Sequence, residues 1–163
     1  MVQVYLGLGS NIGDKEKNIQ KAIRSIRELY SITKISKLYH TEPVGYKQQD
    51  WFLNCAVEIE TDVHPEIILA SLQMIEKKIG RTETRVNGPR TIDIDLLFYG
   101  DKIMNRVNLT IPHPRLHDRR FVLQPLLDLN PGFQHPILKK TIRELYDNLS
   151  APEQVQLYKE SFL

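Results

Sequence analysis

Two carboxylates one residue apart, inside a run of strong strand formers, are the first place where this chain could do chemistry. Asp93 and Asp95 sit in Gly88-Pro89-Arg90-Thr91-Ile92-Asp93-Ile94-Asp95-Leu96-Leu97-Phe98-Tyr99-Gly100. The β-branched and apolar content from Thr91 to Tyr99 predicts a strand, opened by Gly-Pro and closed by Gly-Asp. Side chains alternate along a strand, so both aspartates project from one face, roughly 7 Å apart, while Ile92, Ile94 and Leu96 fill the other. Adjacent carboxylates raise one another's pKa unless a cation lies between them. Oxygen ligands that leave several waters in place suit Mg²⁺, which such carboxylates commonly share with substrate phosphates. The competing reading is the solvated face of an ordinary amphipathic strand. Asp is a poor strand residue, however, and Arg90, with Arg81 and Arg85 upstream, offers a polyphosphate as the reason for using it twice.

A second constellation pairs an amide with a ring. Phe52 and Asn54 share a face of a strand predicted over 51–61, next to the loop Thr41-Glu42-Pro43-Val44-Gly45-Tyr46-Lys47-Gln48-Gln49-Asp50, which is long for a hairpin. The pair could recognise a flat heterocycle by hydrogen bonding and stacking, or be a packed Phe beside a hydrogen-bonded strand Asn. Gln73 and Glu76 are neighbours on a predicted helix surface and, alone, mean little. His113 and His117 have the spacing of a metal pair on a helix. Pro112 and Pro114 break a regular helix there, and zinc would need further nitrogen or sulfur ligands. Arg115, Arg119 and Arg120 fit phosphate charge better.

The elements that must position these residues follow from periodicity. Strand 2–9 is followed by Gly7-Leu8-Gly9-Ser10-Asn11-Ile12-Gly13-Asp14, whose spacing fits neither a dinucleotide loop nor a P-loop and predicts a tight strand-to-helix turn with Asp14 as N-cap. A helix over 15–30 carries the stripe Ile19, Ile23, Ile26, Tyr30. Strands are predicted at 32–41 and 51–61, and a second helix runs from Pro65 to a C′ glycine at Gly80. The segment from Arg81 to Arg90 reads as a basic loop. After the aspartate strand come a short hairpin over 102–111, helices over 122–129 and 141–149, and a last dozen residues read as a terminal helix or tail. The order strand, helix, strand, strand, helix, strand is the ferredoxin-like α+β pattern, a mostly antiparallel sheet with helices packed on one face.

Composition bounds the rest. With 163 residues, 41% hydrophobic and 26% charged, the chain predicts one domain over 1–163, a core over about 2–130 and a helical extension over 131–163. Net charge of +2 speaks against general nucleic-acid binding. No run approaches the ~18 apolar residues of a membrane span, the first residues lack a signal-peptide pattern, and Cys55 has no partner for an internal disulfide, so cytoplasmic residence is the expectation.

Gly9-Ser10-Asn11, Thr41-Glu42-Pro43-Val44-Gly45, Phe52-Leu53-Asn54, Gly88-Pro89-Arg90-Thr91-Ile92-Asp93-Ile94-Asp95 and Ile111-Pro112-His113-Pro114-Arg115 occur in that order. Together they resemble the 6-hydroxymethyl-7,8-dihydropterin pyrophosphokinase family of folate biosynthesis, over about residues 2–130. The resemblance implies transfer of pyrophosphate from ATP to the pterin hydroxymethyl group with release of AMP, by a cytoplasmic monomer acting on small molecules only. It implies that Asp93 and Asp95 hold two Mg²⁺ ions, with Arg81, Arg85 and Arg90 also catalytic. Thr41, Val44, Phe52, Asn54 and Phe121 would meet the pterin. Gln73, Glu76, Arg90, Leu109, Thr110, His113 and Arg119 would lie on the nucleotide side. Two positions depart from the family pattern: Val86-Asn87 stands where a basic residue and an aromatic precede Gly-Pro-Arg, and Arg120 where a small residue precedes the phenylalanine. Two rivals use the same features differently. A Mg²⁺-dependent phosphohydrolase would take water as acceptor, and an RNA-binding ferredoxin-like module would need an aromatic signature that the sheet lacks.

Overall fold

The computed structural model describes residues 1–80 and 87–163. The chain forms β1 (Val2–Ser10), α1 (Lys15–Leu29), β2 (Ser31–Ile35), β3 (Leu38–Thr41), β4 (Phe52–Thr61), α2 (Pro65–Ile79), β5 (Asp93–Tyr99), β6 (Met104–Arg106), β7 (Leu109–Ile111), α3 (Arg120–Leu129), α4 (Ile142–Asp147) and β8 (Val155–Lys159). The main sheet runs β5-β1-β4-β3-β8, with β2 pairing the far half of β4, and every pairing is antiparallel. Without β8, which only extends one edge, this is the ferredoxin-like α+β arrangement with β1 at its centre.

Local chemistry explains the helix ends. The Asp14 side chain accepts the Lys17 N–H at 3.1 Å and starts α1. Pro65 opens α2, and Gly80, at φ 109°, closes it in the left-handed conformation that glycine adopts without strain. The stripe Ile19, Ile23, Ile26 of α1 and Ile68, Leu72, Ile75 of α2 packs on one face of the sheet, against Leu6, Leu8, Leu53, Val57, Ile59, Ile94 and Leu96. Each of these buried aliphatic side chains contributes about 1.5–3 kcal/mol by leaving water.

Three expectations change. The predicted strand 32–41 is two strands. Ser36 breaks it: its side chain takes the Ala56 N–H while its own N–H reaches the Ala56 carbonyl, so the chain jogs against β4. Helices cover both faces of the sheet rather than one, because α3 and α4 pack Leu123, Leu126, Leu129, Ile142 and Leu145 against Tyr5, Leu97 and Phe98 on the second face. The register shift between Tyr5 and Leu6 makes Leu97 an extra residue in β5, which lets both Leu97 and Phe98 turn to that face. Finally, the last dozen residues hold strand β8 rather than a terminal helix or tail. β8 pairs with β3, and Phe162 beyond it is buried in the first core. Among the described residues no helix is long and apolar enough to cross a membrane.

Candidate active site

The register of β1 with its two neighbours lays out the site. Gly9 pairs with Asp93 on one side and Asn54 on the other, and Gly7 pairs with Asp95 and Ala56. Antiparallel neighbours lie about 4.8 Å apart, so Asp93 and Asn54 face the same way from strands roughly 10 Å apart, with a glycine between them. The glycines keep the floor flat. A Cβ on Gly9 would lie 2.5 Å from Asn54 Nδ2, closer than such atoms approach. Gly-x-Gly, read as part of a turn, is therefore mostly strand: β1 continues to Ser10, and the turn to α1 begins at Asn11. The available signal was the glycine alternation itself, which in a strand marks close approach by a ligand or another backbone.

Above this floor is a cleft lined by Gly9, Thr41, Val44, Phe52, Asn54, Arg90, Asp93, Asp95, Arg119 and Phe121, among others. Asn54 is held from two sides. Its Oδ1 accepts the Thr41 hydroxyl at 2.6 Å, and its Nδ2 donates to the Leu8 carbonyl at 3.2 Å. One Nδ2 hydrogen is left to point elsewhere. Phe52 from β4 and Phe121 from the first turn of α3 are both half-buried on the cleft lining, and the Arg119 guanidinium stands 5.6 Å from the Phe121 ring centre. All five residues expected to meet a pterin, Thr41, Val44, Phe52, Asn54 and Phe121, line this one cleft.

A second cleft opens on the other side of Asp95, lined by Leu69, Ile94, Asp95, Leu96, Leu109, Thr110 and His113 with neighbouring residues. Asp95 thus belongs to both clefts. His113 is half-buried. Burial holds it below the usual histidine range, helped by the charges of Arg119 and Arg115 and opposed by Asp93. Its Nδ1 accepts the Arg115 N–H at 3.3 Å, so the neutral ring carries its proton on Nε2. Arg119 is drawn below its ordinary value by burial, with Asp95 and Asp93 pulling it back up. His117 lines a different cavity and meets Asp118 at 3.4 Å, so the two histidines do not converge.

Glu76 and Gln73 part company. Glu76 is buried, and its Oε2 accepts the Ile94 N–H at 2.9 Å, fixing β5 between the two aspartates. Gln73 is exposed on α2 and lines neither cleft. Residues three apart on a helix differ by about 60° in direction, enough to fall on opposite sides of a burial boundary. Arg81 and Arg85 lie outside the described residues.

Among the described residues, no group of three His, Cys, Asp or Glu side chains could hold a metal by itself. Asp93 and Asp95 offer only carboxylate oxygen and leave most of a coordination shell to water or substrate. That donor set fits Mg²⁺ shared with phosphates and does not fit zinc.

The family described as 7,8-dihydro-6-hydroxymethylpterin-pyrophosphokinase (HPPK) matches residues 5–131. The chain belongs to the HPPK family. The 2-amino-4-hydroxy-6-hydroxymethyldihydropteridine pyrophosphokinase of Aquifex aeolicus is 42% identical over 88% of this chain and 90% of its own length. The Bacillus subtilis protein of the same name is 42% identical over 77% of this chain and 76% of its own length. A folic acid synthesis protein of Pneumocystis carinii is 43% identical over 90% of this chain, which spans 20% of that larger protein. A wild-type Plasmodium falciparum HPPK-DHPS structure superposes with a TM-score of 0.70 at 20% identity, over 90% of this chain and 44% of that one. That likeness supports the ferredoxin-like fold of an HPPK domain.

Proposed function

We propose that this chain transfers pyrophosphate from ATP to the hydroxymethyl group of 6-hydroxymethyl-7,8-dihydropterin, releasing AMP, with Mg²⁺ held at Asp93 and Asp95. The observation that carries this reading is the row Asp93–Gly9–Asn54 across three strands, with a ring-sized cleft on one side of the aspartates and a second cleft on the other. A flat heterocycle clasped between Phe52 and Phe121, with its polar edge at Asn54 and the backbone of Thr41 and Val44, extends its substituent towards the aspartates. A nucleotide in the second cleft meets Leu109, Thr110 and His113, and brings its phosphates to the same carboxylates.

Mg²⁺ bound there with ATP would neutralise phosphate charge and lower the pKa of the attacking hydroxyl. The protein's own residues do the positioning. The stacked rings fix the plane of the pterin, and Asn54 fixes its rotation within that plane. Arg90 and Arg119, both on the lining of the first cleft, face the charge that develops on the transferred phosphates. His113, neutral with a proton on Nε2, can donate a hydrogen bond to a phosphate oxygen without adding charge. Attack on the β-phosphorus is a single in-line displacement: the hydroxyl oxygen–phosphorus bond forms as the hydroxyl proton is lost to solvent, the bond between the β-phosphorus and the α,β-bridging oxygen breaks, and AMP leaves with that oxygen. Closing the loop over the ring excludes water as a competing acceptor.

Asp95 stands where the two clefts meet, so Asp95→Ala should lower pterin-dependent ATP turnover by about 10²–10³-fold, the scale of removing one electrostatic group at a transfer site. Circular dichroism should be unchanged. Turnover near wild type in a folded Asp95→Ala protein would contradict the assignment.

A further inference from the structure

Arg120 stands between Arg119 and Phe121, two residues of the ring cleft, yet lines neither cleft itself. It is the first residue of α3, a helix that starts with no side-chain cap and no acidic residue in its first turn. A cation at that end opposes the helix dipole, so α3 alone gives no reason for an arginine there. The reason lies outside the helix. Arg120 Nη2 donates to the Ala151 carbonyl at 3.2 Å, and the guanidinium stands 5.4 Å from the centre of the Tyr146 ring. Tyr146 is itself fixed, because its hydroxyl donates at 2.6 Å to Gln124 Oε1, one turn further along α3. Arg120 thus grips the chain on its way from α4 to β8.

Residues 149–154 of that stretch have no regular secondary structure, and 150–153 border a cavity. Their path is therefore set by a few contacts. Beyond Ala151, Glu153 Oε2 lies 3.2 Å from Lys47 Nζ, which also donates to the Pro43 carbonyl at 2.6 Å. Gln154 exchanges two hydrogen bonds with Glu42. The Glu42 N–H donates to the Gln154 carbonyl at 2.9 Å, and the Gln154 N–H donates to Glu42 Oε1 at 3.0 Å. Glu42, Pro43 and Val44 line the ring cleft from the loop after β3, and Phe121 lines it from α3. Residues 151–154 are thus a strap that joins those two parts of the lining from outside.

We propose that Arg120 is a positioning residue for the ring: through the strap 151–154 it sets the loop 42–47 relative to Phe121. The proposal rests on the pterin reading of the cleft. The guanidinium is engaged by Ala151 and Tyr146, so Arg120 acts on the ring side and not on the phosphates.

The test compares wild type, Arg120→Ala, Glu153→Gln and the double variant. Calorimetric titration is run with 6-hydroxymethyl-7,8-dihydropterin and, separately, with ATP and Mg²⁺. Arg120→Ala should weaken pterin binding about fivefold, the net scale of one hydrogen bond. ATP binding and kcat should stay within twofold of wild type. Glu153→Gln should weaken pterin binding about threefold, as for a partly exposed ion pair. The double variant should match Arg120→Ala rather than multiply the two losses, because both act through one strap. Amide hydrogen exchange at Glu42 and Gln154 should accelerate about fivefold in Arg120→Ala while exchange in β1 is unchanged. Equal losses for pterin and ATP, or multiplied losses in the double variant, would overturn the proposal. Unchanged exchange at Glu42 and Gln154, or equal acceleration in β1, would overturn it as well, and that readout needs no ligand. Absence of pterin binding to wild type would instead count against the reading of the cleft.

Discussion

At the scale of single residues, the glycine in the floor is as demanding as the side chains that line the cleft. Gly9→Ala places a Cβ where the Asn54 amide now lies, 2.5 Å from its nitrogen. Asn54 must move, and both the Thr41 and Leu8 hydrogen bonds that orient it are strained or lost. Losing a fixed amide at the ring edge should weaken pterin binding by about 1–3 kcal/mol, or roughly fivefold to 150-fold. ATP binding in the second cleft should change less than twofold. Calorimetric titration with each ligand separates these outcomes, and equal losses for both would contradict the role of Gly9. The sequence made the paired carboxylates and the ring–amide pair easier to read than this glycine. Asp93 and Asp95 announce themselves by the period of a strand, and Phe52 and Asn54 by the same period. Gly7 and Gly9 do not, because their meaning depends on which strands flank β1, and that pairing is tertiary.

At the scale of elements, the signals that worked were long and periodic. The helices α1 and α2 followed from apolar stripes with a capping Asp14 at one start and a glycine at one end. The strand β8 did not follow from its sequence, because both of its faces are largely exposed and no burial pattern distinguishes it. Another short element shows how a turn can respond to pH. His135 is buried between α3 and α4, and its Nδ1 accepts the N–H groups of Ile137 and Leu138, each at 3.1 Å. Burial, and then the neighbouring His117, holds its pKa below the ordinary value of 6.5. The folded state therefore binds fewer protons than the unfolded state as the pH falls. Its contribution to stability is complete above about pH 6.5 and declines on acidification towards the lower folded value. The midpoint of thermal unfolding should fall between pH 7 and pH 5. In His135→Asn the side-chain oxygen can accept the same two N–H groups but does not titrate there, so the fall should be shallower. An identical pH dependence in the two proteins would rule out His135 as a source.

At the scale of the whole molecule, the fold brings two half-sites to one edge of a central strand. In the proposed reading the β4 side recognises the ring and the β5 side supplies carboxylates, and β1, with its glycines, separates them by about two strand spacings. Helix α3, on the far face of the sheet from α1 and α2, adds Phe121 and the flanking Arg119 to complete the cleft. This layout lets a chain of net charge +2 gather Arg90 and Arg119 on the lining of one cleft. It also explains why the sheet's second face must be covered only in part. The central claim is that a pterin alcohol, and not water, receives two phosphates at once. The direct measurement is product analysis after incubating the protein with ATP, 6-hydroxymethyl-7,8-dihydropterin and Mg²⁺, with pterin-free and EDTA controls. AMP and the pterin diphosphate appearing in equal amounts, only when pterin and metal are both present, is the predicted result. ADP as the product, or ATP hydrolysis that proceeds without pterin, would contradict it.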